Sequence, residues 1–373
     1  MNEDKATRYH RLRRRAGVVS AGMAACLQVA LIVSGGSVAL RAIASNAATA
    51  VAPALAWWLT LAIYVVLLAA LHEVAVLPIA FYRGFVLERR YGLSSETSRA
   101  WSRDHVKAAM LGLVFGLVGA GLLYGLIRYR PSGWWVPAGI VFSLITIALA
   151  HLAPIVLLPI FYRVNPIARD ALRARLKALV ERAGTHVVGV YEWHLGEHTR
   201  RANAALVGLG RTRRILVSDT LLSQYSDEEV EAVLAHEIGH HVHRDIWRSI
   251  AYETALIFVG FLAAERVLQT VAPLAGLAGP ADIAGLPIVL LTMGCLSAAQ
   301  IPLANALSRR HERRADRFAL ALTGQPSAFV SAMRRLAAQN MAEDAPSRLV
   351  QVLFYTHPPI RERIAAAGVE RGA

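Results

Sequence analysis

The stretch "AVLAHEIGHHVHRD", residues 232–245, contains four histidines within eight positions. If it is helical, His236 and His240 are one turn apart, so both imidazoles project from one face and can share a cation. Glu237 then lies about 100° around the helix axis, where it can reach a water held at that cation without being a ligand. This H-E-x-x-H pattern is typical of metalloproteases, in which the glutamate is the general base.

The remaining two histidines of the stretch differ in their geometry. His241 points about 140° away from His236, which favours a surface or packing position. His243 lies on the same stripe as His236 and His240, so a pair formed by His240 and His243 is an alternative. Glu237 would be misplaced for that alternative pair, which favours His236 and His240 as the metal ligands.

The segments before the histidines predict a small unit of mixed helix and strand. The residues 163–184 have apolar positions at helical spacing and end at a glycine, which predicts an amphipathic helix. The β-branched and aromatic run 185–195 predicts a strand, and 200–222 predicts a hairpin that turns around 208–213. Acidic residues from Asp227 onward predict that the histidine helix begins near that position.

A catalytic zinc needs three protein ligands and one open position, so a third ligand must come from elsewhere in the chain. The best candidate lies in "SRRHERRADRFALAL", residues 308–322, where Glu312 and Asp316 are four residues apart. Glu312 could ligate the metal while Asp316 accepts a hydrogen bond from a ligand imidazole and orients it. An exposed, charged start of a helix explains the same spacing equally well.

The composition indicates a membrane protein. The 373 residues are 55% hydrophobic and 18% charged, with a mean hydropathy of +0.41. A helix needs about 20 apolar residues to cross the hydrocarbon layer, and a buried core helix is the alternative for the shorter runs. Six runs in one chain favour about six spans, at 17–40, 54–81, 108–127, 134–161, 250–272 and 284–307.

Basic residues predict the orientation of these spans. Residues 1–16 and the loop 83–107 are rich in arginine, whereas 44–56 and 271–283 contain no lysine or arginine. Because basic residues accumulate in cytoplasmic loops, both termini and the polar stretch 163–247 are expected in the cytoplasm.

The spans and the polar segments together predict four regions. These are a membrane region of four spans (1–163), a cytoplasmic metalloprotease region (164–249), two further spans (250–307) and the C-terminal part of the protease region (308–373). The predicted fold class is therefore an α-helical multi-pass membrane protein with a small α+β, zincin-like cytoplasmic metalloprotease domain.

Several other classes of protein are disfavoured. The net charge of +14 follows from the loop bias and suits contact with anionic lipid headgroups, and it lacks the aromatic-basic modules of nucleic-acid binding. Cys26 and Cys295 both fall inside predicted spans, which excludes a disulfide framework and a cysteine metal site.

Ionisable residues inside the spans are costly in hydrocarbon and usually face a polar interior or a partner. We expect Glu265 and Arg266 to lie near the outer interface. For His72 and Glu73, either they line a polar intramembrane chamber or they form a local structural pair. The full set is His72, Glu73, His151, Glu253, Glu265 and Arg266.

Four motifs in the same order resemble the membrane-embedded CAAX prenyl protease family of zinc metallopeptidases, which are of the gluzincin type with HExxH and ExxxD motifs. They are "NAALVGLGRTRRILVSDTLL", "HEIGHH", "NALSRRHERRADRFAL" and "THPPIRERI", and the resemblance runs from about residue 85 to 364. It implies that one Zn²⁺ is held by His236, His240 and Glu312. The family's carboxylate behind the ligands falls on Asp316.

The resemblance implies roles for three further residues. Asn203 precedes a strand that resembles the family's edge for pairing with an extended substrate. His357 matches a histidine expected near the scissile carbonyl, and Arg363 matches the basic residue that follows it. The first two spans resemble the family only in hydrophobicity, and the seventh span of its eukaryotic members is missing from this pattern.

The sequence thus predicts an integral-membrane zinc metalloendopeptidase. It would hydrolyse membrane-associated or C-terminally prenylated CAAX-like substrates on the cytoplasmic side, and the arginine-dominated, alanine-rich composition favours a bacterial inner membrane. One alternative is a quality-control protease for membrane proteins with no prenyl requirement. A more distant alternative is a non-catalytic transporter in which the metal has only a structural role.

Overall fold

Long apolar helices form most of the first half of the chain. The computed structural model describes residues 4–152, 156, 158–196, 199–208 and 213–368. A π-helical turn (Tyr82–Val86) joins the third helix to the fourth. The helices of this half are α1 (Lys5–Val33), α2 (Gly36–Val51), α3 (Ala56–Phe81), α4 (Leu87–Arg90), α5 (Ser98–Tyr129), α6 (Trp135–Leu152) and α7 (Leu158–Phe161).

Five helical segments of the described chain are long and apolar enough to cross a membrane: Lys5–Val33, Pro53–Arg90, Ser98–Tyr129, Trp135–Leu152 and Asp245–Leu274. The last of these is α11 (Asp245–Leu274). A sixth span is formed if the bent pair that follows it crosses as one unit. The prediction of about six spans is therefore confirmed, since the described chain has five or six such spans.

The predicted ends of the first and sixth spans differ from the structure. The first helix ends at Val33 because Gly35 adopts a left-handed backbone (φ 71°) that breaks it. The residues that follow form α2, which packs along α3, so much of the predicted loop 44–56 is helical. The sixth run divides at Gln300 into α12 (Leu286–Ala299) and α13 (Ile301–Thr323), whose axes differ by 47°.

The spans pack through an apolar core that contains several small residues at points of close contact. Tyr64, Tyr124 and Trp134 are fully buried in this core. Helix α6 packs against α11 at Gly139, where an added Cβ would lie 2.6 Å from the Phe258 ring. The absence of a side chain at Gly139 thus allows the two helices to approach.

Two of the ionisable residues predicted at membrane depth have partners in the structure. Glu73 on α3 contacts His105 on α5, so its partner is on the neighbouring helix and not the adjacent His72. Glu265 is only 3% exposed, and its carboxylate accepts a hydrogen bond from the backbone N–H of Gly133 at 2.6 Å. Glu265 therefore fixes the turn between α5 and α6 and does not extend outward to water.

A four-stranded sheet begins the polar part, in the order β1-β2-β4-β3. The central strands β2 and β4 are parallel, and the outer two pair antiparallel to them. The hairpin predicted around 208–213 is confirmed by the register of Ala204 with Val217, although 209–212 lie outside the described residues. The strands are β1 (Val164–Pro166), β2 (Gly189–Trp193), β3 (Ala204–Val207) and β4 (Arg214–Ser218).

The helices of the polar part come from two distant stretches that share one core. Helix α10 packs against α8, β3, α13 and α14, so residues before and after the last two spans cover the same apolar side chains. Val217, Leu234 and Phe329 are fully buried there. The helices are α8 (Asp170–Arg182), α9 (Asp219–Gln224), α10 (Asp227–Val242), α14 (Pro326–Gln339), α15 (Arg348–Phe354) and α16 (Ile360–Ala366).

The polar first turns of α1 attach the membrane helices to this polar part. The Tyr9 hydroxyl donates to Glu88 at 2.5 Å, and Arg201 donates to both of them. Arg14 donates to the Glu343 carboxylate at 2.7 Å. These contacts fix the N-terminal helix against segments that lie about 200 and 330 residues further along the chain.

We expect Gly139→Ala to destabilise the protein in detergent, because its Cβ would overlap the Phe258 ring. The cost should be about 1–3 kcal/mol, as for other overpacked cores, measured as a lowered midpoint of thermal unfolding. Gly112→Ala is the matched control, since a Cβ there meets nothing within 4 Å. Equal stability of the two variants would show that α6 and α11 do not pack as described.

Candidate metal centre

Helix α10 begins at Asp227, as the acidic first turn predicted, and a capping box precedes it. The Ser226 side chain accepts from the Glu229 N–H at 3.3 Å, and the Glu229 carboxylate accepts from the Ser226 N–H at 2.9 Å. Both contacts satisfy backbone donors that the first turn leaves free. Buried Val230, Leu234 and Ile238 then anchor the helix in the core. The histidine stretch therefore lies on a rigid element.

Gly239 allows α10 to approach α13 at backbone distance. A Cβ on Gly239 would lie 3.0 Å from the Cα of Ala315 and 3.2 Å from its carbonyl oxygen. Because those neighbours are backbone atoms, they cannot turn aside as a flexible side chain could. The glycine inside the HExxH motif thus lets α13 lie close enough for its side chains to reach the two histidines.

The structure brings His236, His240 and Glu312 into one cluster whose potential ligand atoms all lie within 4.8 Å of one another. The two histidine Nε2 atoms are 3.2 Å apart. His236 Nε2 is 3.2 Å from one oxygen of Glu312, and His240 Nε2 is 3.3 Å from the other. The spacing argument that proposed these three residues therefore describes a real convergence of side chains.

Each of these histidines is oriented by a second carboxylate. His236 Nδ1 donates to Asp316 at 2.8 Å, which is the contact expected from the sequence. His240 Nδ1 donates to Asp245 at 3.0 Å, and sequence analysis gave Asp245 no role. A proton on each Nδ1 leaves each Nε2 with a lone pair that points into the cluster.

The arrangement fits a bound cation. Two imidazole nitrogens and a carboxylate converge on one point, a donor set that suits a divalent cation. Burial alone would lower the pKa of His236, but its hydrogen bonds to Asp316 and Glu312 outweigh burial and raise that pKa to about 9. The cluster therefore attracts positive charge, which a metal ion would supply.

Glu237 lies beside the cluster and is partly buried. Burial raises the pKa of its carboxyl above the usual range, and the neighbouring His236 and His240 act in the opposite direction. A carboxylate whose proton affinity is increased in this way is suited to taking up a proton and passing it on.

Arg363 and His357 both reach the cluster from the C-terminal segment. Arg363 is buried and donates to both oxygens of Asp316, at 2.6 and 2.8 Å, and its guanidinium is 3.9 Å from Glu312. His357 Nε2 is 3.3 Å from Glu312, and its side chain is 60% exposed. His357 therefore lies on the open side of the cluster, whereas Arg363 lies behind it.

Asn203 lies at the start of the outermost strand, β3. Its backbone N–H and carbonyl both bond to Ser218 on β4, and the residue itself is exposed. In the described sheet β3 has β4 on one side only, which leaves its other edge available for pairing.

The other two histidines of the stretch lie outside the cluster. His243 follows the last residue of α10, donates from its ring to the Gly239 carbonyl at 2.7 Å and packs on Phe318. His241 is partly exposed. The alternative ligand pair of His240 and His243 is therefore not formed, because the helix ends at Val242 and His243 turns back to cap it.

Comparison with protein families gives matches over both parts of the chain. The family described as peptidase family M48 matches residues 166–370. A second family, described as the CAAX prenyl protease N-terminal region with five membrane helices, matches residues 2–163. The two matches together cover the membrane helices and the cluster.

Individual relatives are distant but extend over most of the chain. An uncharacterized metalloprotease, YhfN of Bacillus subtilis, is 27% identical over 83% of this chain and 74% of its own. CAAX prenyl protease 1 of Saccharomyces cerevisiae is 26% identical over 80% of this chain and 70% of its own. The crystal structure of S. mikatae Ste24p has the same fold, with a TM-score of 0.84 and 22% identity, covering 97% of this chain and 87% of that one.

We expect Gly239→Ala to weaken metal binding, because the added Cβ would push α13 and its Glu312 away from the histidines. A displacement near 1 Å at a reacting centre can cost about a hundredfold in rate, so peptidase activity should fall more than thermal stability. Metal affinity is measured by competition with a chromophoric chelator, with Gly112→Ala as the control. An unchanged affinity would contradict the role given to the close approach.

Proposed function

The chain belongs to peptidase family M48, a family of metalloproteases, and we propose that its three-residue cluster holds a zinc ion for peptide-bond hydrolysis in membrane-associated substrates. The observation that supports this proposal is the convergence of His236, His240 and Glu312 from two packed helices, with His236 and Glu312 buried and His240 half-buried. Two histidines and one glutamate are a ligand set of catalytic zinc sites, which leave one position open. We therefore propose zinc as the ion.

In the proposed mechanism, the protein's own side chains move and hold the protons. A zinc ion bound by the cluster supplies Lewis acidity, which lowers the pKa of water to about 7 and polarises a peptide carbonyl. Glu237 takes the proton of the attacking water on its carboxylate and later delivers it to the leaving nitrogen. The raised pKa of Glu237 suits the second of these two steps.

Three other side chains and one strand edge complete the proposed site. His357, on the open side, stabilises the negative charge that develops on the carbonyl oxygen of the substrate. Arg363 and Asp316 together keep the His236 ring in place. The free edge of β3, which begins after Asn203, pairs with an extended peptide and positions the scissile bond.

The side of the membrane follows from charge. Arginine-rich segments at 1–16 and 83–107 favour the cytoplasm for the end of the bundle that carries the cluster. Tyr9, on the first of these segments, contacts Glu88 and Arg201, which joins that basic end to the polar part. We propose a cytoplasmic site on a bacterial inner membrane.

The proposal has two versions, which differ in the class of substrate. Similarity to a yeast CAAX prenyl protease supports the first version, a substrate with a lipidated C-terminus. The arginine-dominated, alanine-rich composition favours a bacterial source, where prenylated substrates are not expected, and so supports the second version, a quality-control protease that cuts membrane proteins without requiring a prenyl group. Both versions use the same cluster and the same edge strand.

We expect Glu237→Gln to reduce turnover by at least about a thousandfold while zinc remains bound, because the amide cannot take the proton and is not a ligand. Turnover is measured on a quenched fluorescent peptide, and zinc content by mass spectrometry with an expected one ion per chain. Normal cleavage by this variant would refute the mechanism. His241→Ala, on the same helix but outside the cluster, is the control.

Cleavage of a farnesylated CAAX peptide and of its unprenylated analogue by the purified enzyme separates the two substrate versions. We expect the lipidated peptide to be cleaved faster, since its lipid concentrates it at the membrane, and the analogue to be cleaved as well. Strict dependence on the farnesyl group would exclude the quality-control version.

A further inference from the structure

The two histidines of the cluster are supported in the same way on opposite sides. His236 donates to Asp316, and Asp316 in turn accepts two hydrogen bonds from Arg363. His240 donates to Asp245, which in turn receives a guanidinium from α13. Only the first of these two arrangements has a counterpart in the sequence motifs.

The carboxylate of the second arrangement is about as buried as that of the first, whereas His240 and Arg314 are more exposed than His236 and Arg363. Asp245 is 5% exposed, and its carboxylate accepts from His240 on one oxygen and from Arg314 on the other. Arg248 adds a longer contact at 3.5 Å, and the ring of His311 is 3.9 Å away. A buried carboxylate with this set of donors is held in one orientation.

The backbone is bent to put Asp245 in that place. Helix α10 ends at Val242, and Arg244 adopts a left-handed conformation (φ 57°, ψ 37°) before α11 begins. A residue with a Cβ rarely adopts this conformation, and strain of this kind is retained where the surroundings need it. The bend returns the first residue of the fifth span to the side of His240.

We propose that Asp245 is a positioning residue for the metal ligand His240, and this inference rests on the zinc site of the proposed function. Its carboxylate keeps the proton on Nδ1 and fixes the ring so that Nε2 points toward Glu312. Arg314 balances its charge and ties it to α13, the helix that carries Glu312.

The contact between His240 and Asp245 also connects a membrane-spanning helix to the candidate metal site. Asp245 is the first residue of α11, which crosses the membrane, whereas Glu312 lies on α13, the second helix of the bent pair. The network of His240, Asp245 and Arg314 therefore joins the end of α10, the start of α11 and the middle of α13. A tilt of α11 would act directly on the ring of a metal ligand.

A helix-stabilising role for Asp245 makes a different prediction. An aspartate in the first turn of a helix, paired with an arginine three residues on, stabilises the helix by itself. Asp170 has this pattern without any histidine, because it begins α8 and pairs with Arg173 at 2.5 Å. Asp170→Ala is therefore the matched control for a change in helix stability alone.

The test compares zinc affinity of the full-length protein in detergent, by chelator competition, for wild type and for Asp245→Ala, Asp316→Ala and Asp170→Ala. We expect both Asp245→Ala and Asp316→Ala to raise the zinc Kd about 10- to 100-fold, as removal of a carboxylate behind a histidine ligand does. Asp170→Ala should leave the Kd within about twofold, because this carboxylate contacts no metal ligand.

Asp245→Asn keeps the shape of the side chain and serves if the alanine variant does not fold. Cobalt substituted for zinc then reports the ligand geometry, and we expect its visible absorption to shift in Asp245→Asn but not in Asp170→Asn. Wild-type zinc affinity in Asp245→Ala, or an unshifted cobalt spectrum in Asp245→Asn, would overturn this inference. A wild-type protein that binds no zinc would instead overturn the proposed function.

Discussion

The close approach of α10 and α13 at Gly239 is the constraint on which the candidate site depends. Without a Cβ at this position, the two helices meet at backbone distance, and Glu312 lies between His236 and His240. Each histidine is then fixed from behind by a carboxylate, so the nitrogen lone pairs point inward. The cluster is preorganised because helices position its side chains, and no loop has to close to assemble it.

The membrane helices make this approach possible. The helix that carries Glu312 follows α11 and α12, and the chain bends by 47° at Gln300 before α13 enters the polar part. Residues after the spans complete the core that residues before the spans began, with Phe329 packed in the same cluster as Val217. The candidate metal centre and the helix bundle are therefore one structure. A change in the packing of the spans would move the ligand side chains of the cluster.

Electrostatics in the cluster are dominated by carboxylates. Hydrogen bonds to Asp316 and Glu312 overcome the effect of burial on His236, whereas burial prevails for Glu237 and raises the pKa of its carboxyl. The carboxylates that raise the proton affinity of His236 also attract a metal cation. Glu237, a carboxyl group with raised proton affinity beside this site, is suited to proton transfer. These two properties support the proposed assignment of ligands and general base.

The sequence by itself predicted about six spans, the hairpin, the start of α10 and the five candidate site residues of the HExxH and ExxxD motifs, because periodicity and i to i+4 spacing are local properties. Local spacing could not place Asp245 beside His240, since that contact needs the left-handed Arg244 that reverses the chain. The position of Glu237 favoured His236 and His240 over His243 as ligands, but local spacing could not show that His243 caps the helix, since that depends on where the helix ends. Only the tertiary structure brought Glu312 to the histidines, because that contact depends on how the intervening helices pack across the membrane.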